Sequence, residues 1–265
     1  MIERVERNGV SIAYRVEGNG PGLVLVHGTG ADGDTNWAAL AADLARDWRV
    51  VRPDYAGSGQ TRDGGGALTV AGLAAQVTAA AEAAGLERFD LVGFSLGAAV
   101  AATIAADRPE RVRRLVLLGP LLSAADPRLQ LEFRLWRDLI ERDRATLARL
   151  IVLTGFSPAF VSQLGAEELD DLIGLILDGN DWEGMARQVE LDLVLDVAAA
   201  ARRIACPTLV VGQRLDHMVP VEQARAAAAA IPGARYAEID TGHLGLLERP
   251  GEVAVLLRGF LREDA

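Results

Sequence analysis

One stretch limits what this chain can fold into: Phe89-Asp90-Leu91-Val92-Gly93-Phe94-Ser95-Leu96-Gly97-Ala98-Ala99, continuing as an alanine-rich run to Ala106. Its opening suits a strand buried on both faces and the run after Gly97 suits a helix, so a sharp turn has to lie at Ser95. Glycines two residues before and after the serine let strand and helix approach closely. A serine at such an apex is held under strain, with its hydroxyl projecting from the sheet. The N–H of Leu96 opens the helix, where donors lack helical partners and the dipole is positive. A nucleophile beside such donors is equipped for acyl transfer through an oxyanion, which makes Ser95 the candidate nucleophile and Leu96 a candidate oxyanion donor.

The rest of the chain alternates around this turn. Asn8-Gly9 predicts a hairpin between residues 2–7 and 10–16. Gly22 to Val26 reads as a strand buried on both faces, ending at His27-Gly28-Thr29-Gly30. Trp37, Leu40, Ala41 and Leu44 have helical spacing, and Arg49 to Pro53 is the next strand. Thr69 to Ala84 is a helix with Thr69 as N-cap and Gly85 as its stop, and Val112 to Leu118 is a strand. Strands and helices alternating at this spacing imply right-handed crossovers and a doubly wound, mostly parallel sheet of the α/β class. The next strand is Thr208 to Gly212, and residues 119–207 are far more than a crossover needs. They hold helical patterns instead: Leu129, Phe133, Trp136 and Ile140 share one face, followed by Ala166 to Leu177 and Trp182 to Val197. After Thr208 to Gly212 come a helix over Val221 to Ala230, a strand over Arg235 to Ile239 and a closing helix over Pro250 to Arg262.

Gly93-Phe94-Ser95-Leu96-Gly97, His27-Gly28 after the third strand, the Asp54 to Thr61 turn, Gly212 to Pro220 and Gly242-His243 together resemble the α/β-hydrolase superfamily. The resemblance implies an α/β-hydrolase core over 1–120 and 205–265, with an all-helical cap over 121–204 lying above the serine. It implies a triad of Ser95, Asp216 and His243, in the chain order this fold requires. It also implies that Thr29 supplies the second oxyanion N–H and that His27 braces its loop. The chain departs from the family pattern at Ala56, where arginine is usual, at Thr61, where serine is usual, and by one extra residue between Gly212 and Asp216. The departures at Ala56 and Thr61 bear on loop bracing rather than chemistry. Phe133, Trp136, Phe156, Phe160, Trp182 and Met185 in the cap are candidates to line a hydrophobic substrate pocket.

Composition narrows the partners. A formal charge of −10 with no basic face argues against nucleic acid. No run approaches the roughly 18 apolar residues of a membrane span, and the charged N-terminus does not read as a secretory signal, so a cytoplasmic protein is expected. Lysine is absent, which excludes Schiff-base chemistry, and the arginine and alanine bias suits a GC-rich bacterial coding sequence. Three histidines and the single Cys206, read as a buried structural thiol, offer no metal-ligand spacing, so neither metal nor cofactor is expected. The expected activity is hydrolysis of an ester, thioester or lactone of a small hydrophobic molecule through a Ser95 acyl-enzyme, by a monomer or homodimer. A biosynthetic cyclase or lyase, a carbon–carbon bond hydrolase and a non-catalytic receptor use the same scaffold and stay open.

Overall fold

A computed structural model describes residues 1–263; the last two positions of the expected core, 264 and 265, lie outside the described residues. The strands are β1 (Ile2–Arg7), β2 (Val10–Glu17), β3 (Gly22–Val26), β4 (Arg49–Pro53), β5 (Phe89–Phe94), β6 (Val112–Leu118), β7 (Thr208–Gln213) and β8 (Arg235–Ile239). They form one sheet in the order β1-β2-β4-β3-β5-β6-β7-β8. β2 pairs antiparallel with both β1 and β4, and the remaining neighbours run parallel. The helices of the core are α1 (Gly33–Leu44), α2 (Val70–Ala83) and α3 (Leu96–Asp107). The segment between β6 and β7 folds into α4 (Pro127–Arg142), α5 (Arg144–Gly155), α6 (Pro158–Gln163), α7 (Ala166–Gly179), α8 (Trp182–Val194) and α9 (Ala198–Ala201). α10 (Val221–Ala230), α11 (Gly245–Glu248) and α12 (Pro250–Leu261) complete the chain.

The central strands are mostly apolar because the sheet is covered on both sides, and the buried Asp90 of β5 is paired with Arg113 of β6. Alternation then sorts their side chains. Val24, Val26, Leu91, Leu115 and Leu117 join one core with residues of α2 and α3, while Leu23, Leu25, Val92, Val116 and Leu118 join a second with Trp37 and Leu40 of α1 and Leu257 and Phe260 of α12. α3 can lie close to the sheet because half of its buried residues are alanine and one more is Gly97.

Chain order reverses beside β3: the chain steps from β3 to β4 on one side and then crosses to β5 on the other. Such a reversal opens a crevice at the carboxyl ends of the two strands. The His27–Gly30 loop leaves β3 there and Ser95 leaves β5 there, so residues far apart in sequence meet at one point.

The helical segment between β6 and β7 rises from a narrow neck. Ser123 and Asp196 form an antiparallel bridge, the Ala124 N–H donates to Leu195 O at 2.8 Å, and the Val197 N–H donates to Leu122 O at 2.8 Å. This neck is why α8 stops at Val194 rather than running to Val197 as its sequence pattern suggests: residues 195–197 use their backbone groups to pair with 122–124. α5, α6, α9 and α11 add to the helices that the sequence pattern predicts. α5 is started by a side chain, with Asp143 capping the N–H of Thr146, and α6 is opened by Ser157 and Pro158.

Candidate active site

Ser95 follows β5 with φ 54° and ψ −121°, a backbone that a residue with a side chain adopts only under strain. Its N–H donates to Leu118 O at 3.0 Å and its carbonyl accepts from the Ala98 N–H at 2.8 Å, so β6 and α3 hold the turn from both sides. A Cβ at Gly93 would stand 2.3 Å from Gly97 O, and one at Gly97 would stand 2.3 Å from His27 O. These backbones touch, which explains the glycines flanking the serine.

His243 and Asp216 are brought together from the loops after β8 and β7. His243 Nδ1 lies 2.6 Å from Asp216 Oδ2, and both side chains are buried. Asp216 Oδ1 accepts the N–H groups of Met218 at 2.8 Å and Val219 at 2.7 Å, which aims the other oxygen at the imidazole. A carboxylate on Nδ1 sets the tautomer with the proton there and leaves Nε2 as the base. The histidine loop is anchored on both sides: the Leu244 N–H donates to Gly155 O at 2.7 Å, and Glu248 accepts the N–H groups of Gly242 and Ser157 at 3.0 Å each. Ser95 and His243 line the same cavity.

The loop after β3 is held along its length. The Gly28 N–H donates to Asn36 Oδ1 at 2.9 Å and the Gly30 N–H to Gln188 Oε1 at 2.8 Å. The Thr29 N–H between them, like that of Leu96, has no acceptor among the described residues. The Thr29 hydroxyl donates to Asp192 Oδ2 at 2.6 Å. Asp192 is fully buried, and loss of water pushes its carboxyl up to about 8, so it carries its proton at neutral pH. His27 stands behind the loop. Burial lowers its imidazole below the usual range, Nδ1 lies 2.9 Å from Gly28 O, and its ring stacks on Tyr55 with centroids 3.8 Å apart.

A cavity of about 230 Å³ opens over Ser95 and His243. Of the aromatic and sulfur side chains singled out in the sequence, Phe133, Trp136, Phe156 and Met185 line it. Phe160 and Trp182 stand outside that lining. Phe160 stacks on Phe156 with centroids 4.8 Å apart, and Trp182 donates from Nε1 to Leu177 O at 3.2 Å beneath the Arg144 guanidinium. Sequence reasoning missed Leu172 and Ile176 of α7, Met218, Val219 and Leu244, which also line the cavity. Their signal was present in α7, whose apolar residues recur at helical spacing. Gln188 and Asp192 were missed as well, although two polar residues embedded in the Met185–Val189 apolar face of α8 are a visible irregularity. Cys206, expected buried, is half-buried, and desolvation raises its thiol. Among the described residues no group of three or more His, Cys, Asp or Glu is placed to hold a metal ion, and no helix is long and apolar enough to cross a membrane.

This sheet and this site define a class, and the chain belongs to it: a family model described as the alpha/beta hydrolase fold matches residues 21–250. The chain is a hydrolase of that fold. Among its relatives, pyrrolizixenacetamide deacetylase of Xenorhabdus hominickii is 55% identical over 263 residues, covering 99% of each chain. The enol-lactonase of Burkholderia xenovorans LB400 superposes with a TM-score of 0.86 at 26% identity, covering 98% of this chain and 100% of that one. An alpha/beta hydrolase from a Medee basin deep-sea metagenome library has the same fold, with a TM-score of 0.90 at 19% identity over 99% of this chain and 98% of that one.

Proposed function

We propose that the protein is a serine deacylase that removes a small acyl group, acetyl in the first instance, from a compact hydrophobic molecule. The observation that carries this reading is that His243, paired with Asp216 behind it, lines the same cavity as a strained, turn-apex serine. Ser95 Oγ attacks the acyl carbonyl carbon while His243 Nε2 takes the hydroxyl proton, and Asp216 stabilises the imidazolium that forms. The N–H groups of Thr29 and Leu96 receive the oxyanion. His243 then returns the proton to the leaving nitrogen or oxygen, and water attacks the Ser95 acyl-enzyme by the reverse roles. Proton delivery matters most for an amide, whose nitrogen leaves only when protonated.

The substrate class rests on two supports. The relative of 55% identity is named for deacetylation of an acetamide, which widens the expected esters, thioesters and lactones to amides. The cavity, at about 230 Å³, lies below the roughly 300 Å³ at which drug-sized pockets begin, and so suits a small acyl group on a compact body better than a long lipid chain. Residues 121–204 act in this reading as a cap over a core of 1–120 and 205–265, supplying Phe133, Trp136, Phe156 and Met185 to the apolar wall.

The test pairs labelling with turnover. Intact mass after treatment with a fluorophosphonate should show one adduct that maps to Ser95, absent in Ser95→Ala and diminished in His243→Ala. Acetate release from hydrophobic N-acetyl and O-acetyl compounds should depend on Ser95. Product formation that survives Ser95→Ala would instead mark a cyclase or lyase, and ligand binding without turnover or labelling would mark a receptor.

A further inference from the structure

We infer that Gln188 and Asp192, one turn apart on α8, are positioning residues for catalysis: they hold the loop after β3 so that the Thr29 N–H faces the oxyanion. The inference rests on the serine deacylase reading and adds to it that the segment above the cavity helps to build the oxyanion site rather than only covering the substrate.

The geometry is specific. Gln188 is fully buried and spends its whole amide on two loops: Oε1 accepts the Gly30 N–H at 2.8 Å, while Nε2 donates to Gly57 O at 3.0 Å and Ser58 Oγ at 2.6 Å. Asp192, equally buried, accepts the Thr29 hydroxyl at 2.6 Å. Asn36 holds the Gly28 N–H from the other side. Gln188 therefore tethers the peptide unit after Thr29 and Asp192 tethers its side chain, while the unit that carries the Thr29 N–H is held at its carbonyl, Gly28 O, which lies 2.9 Å from His27 Nδ1 and accepts the Tyr55 hydroxyl at 3.2 Å; the direction of the Thr29 N–H depends on the two contacts from α8 together with these.

The arrangement costs stability. Asp192 Oδ1 is buried with no partner among the described residues, and an unpaired buried polar atom carries a penalty that an apolar side chain on this face would avoid. Such a cost is explained by a role in aiming another group. Burial also keeps the Asp192 carboxyl neutral at physiological pH, so no negative charge stands beside a forming oxyanion. Both residues lie outside the cavity lining and touch no reacting atom, so their effect passes through Thr29.

The experiment measures hydrolysis of p-nitrophenyl acetate and fluorophosphonate labelling in the full chain, each variant being assayed well below its own melting temperature. Wild type first has to label at Ser95 and turn over. If it does neither, the deacylase reading fails and takes this inference with it. Given an active wild type, Gln188→Ala and Asp192→Ala should each lower kcat roughly 10- to 100-fold with KM unchanged, because a misplacement on the order of 1 Å costs about 10² and loss of a donor about 10²–10³. Asp192→Asn, which keeps an acceptor for the Thr29 hydroxyl, should restore kcat. Thr29→Val, which keeps the shape and the backbone N–H, should match Asp192→Ala, and combining the two should add nothing further. A role as mere glue between segments would lower the melting temperature or raise KM and leave kcat alone. Wild-type kcat in Asp192→Ala and Gln188→Ala, or equal damage by Asp192→Asn and Asp192→Ala, overturns the inference while leaving the deacylase reading intact. Should the alanine variants fail to fold, Thr29→Val decides alone, and wild-type kcat there overturns it.

Discussion

Strain at Ser95 can be measured by removing it. The residue sits at φ 54° and ψ −121°, and a side chain held in such a region costs on the order of 1–3 kcal/mol. Ser95→Ala deletes the hydroxyl but keeps Cβ, and with it the strain; Ser95→Gly deletes both. Going from alanine to glycine ordinarily destabilises in two ways, through unfolded-state entropy of about 0.4–1 kcal/mol and loss of a buried methyl worth about 0.8 kcal/mol. At position 95 the released strain offsets both. The control is Ala101→Gly in the Ser95→Ala background, at a fully buried position inside α3 where no strain exists to release. There the helix penalty of about 1 kcal/mol and the lost methyl should together cost roughly 2 kcal/mol. For a chain of this size that is a fall in melting temperature of roughly 4–8 °C. Thermal and denaturant unfolding of the three variants should therefore show Ser95→Gly level with Ser95→Ala, and the control clearly lower. A Ser95→Gly variant that falls as far below Ser95→Ala as the control does would refute the strain argument. Neither Ser95→Ala nor Ser95→Gly should label with a fluorophosphonate.

Two further outcomes follow from particular contacts. In Gly97→Ala the new Cβ would stand 2.3 Å from His27 O and 2.5 Å from Val26 O, backbone atoms that cannot swing aside. The cost should reach the upper end of the ~1–3 kcal/mol typical of overpacking, with kcat falling because the Thr29 loop is pushed; Gly259→Ala, with open space around it in α12, should leave both unchanged or slightly raise stability. The second concerns pH. Asp192 binds its proton up to about 8 in the folded protein against 3.8 as its ordinary value, so between these limits the folded state holds a proton that the unfolded state has released. The resulting stabilisation is full below about pH 4 and is lost as pH rises through 8, at no more than about 1.4 kcal/mol per unit. The melting temperature of wild type relative to Asp192→Asn should accordingly fall between pH 5 and pH 8. Tyr55, which burial first and the Asp192 carboxyl second hold well above its usual range, stays neutral across this window. A difference that does not change with pH would mean that Asp192 ionises as freely when folded as when unfolded.

Much of this protein was determined by sequence alone, because the features concerned are local. The glycine–serine–glycine turn, the caps at Thr69 and Gly85, and the two-residue alternation within the strands depend on neighbours a few positions away, and they recur in the structure with little displacement. The order of Ser95, Asp216 and His243 was legible for a related reason: each stands at the carboxyl end of a strand, where the parallel sheet gathers its loops at one edge. The helical segment between β6 and β7 is different. Its sequence announces amphipathic helices, but which face of each helix meets the cavity depends on how helices pack on one another and on the core. That packing turned Trp182 beneath Arg144, set Phe160 behind Phe156, and put Leu172 and Ile176 on the wall instead. The contact between Thr29 and Asp192, 163 positions apart, exists only once α8 is laid across the loop after β3. Periodicity along a chain states that a helix has an apolar face; only long-range packing decides what that face touches.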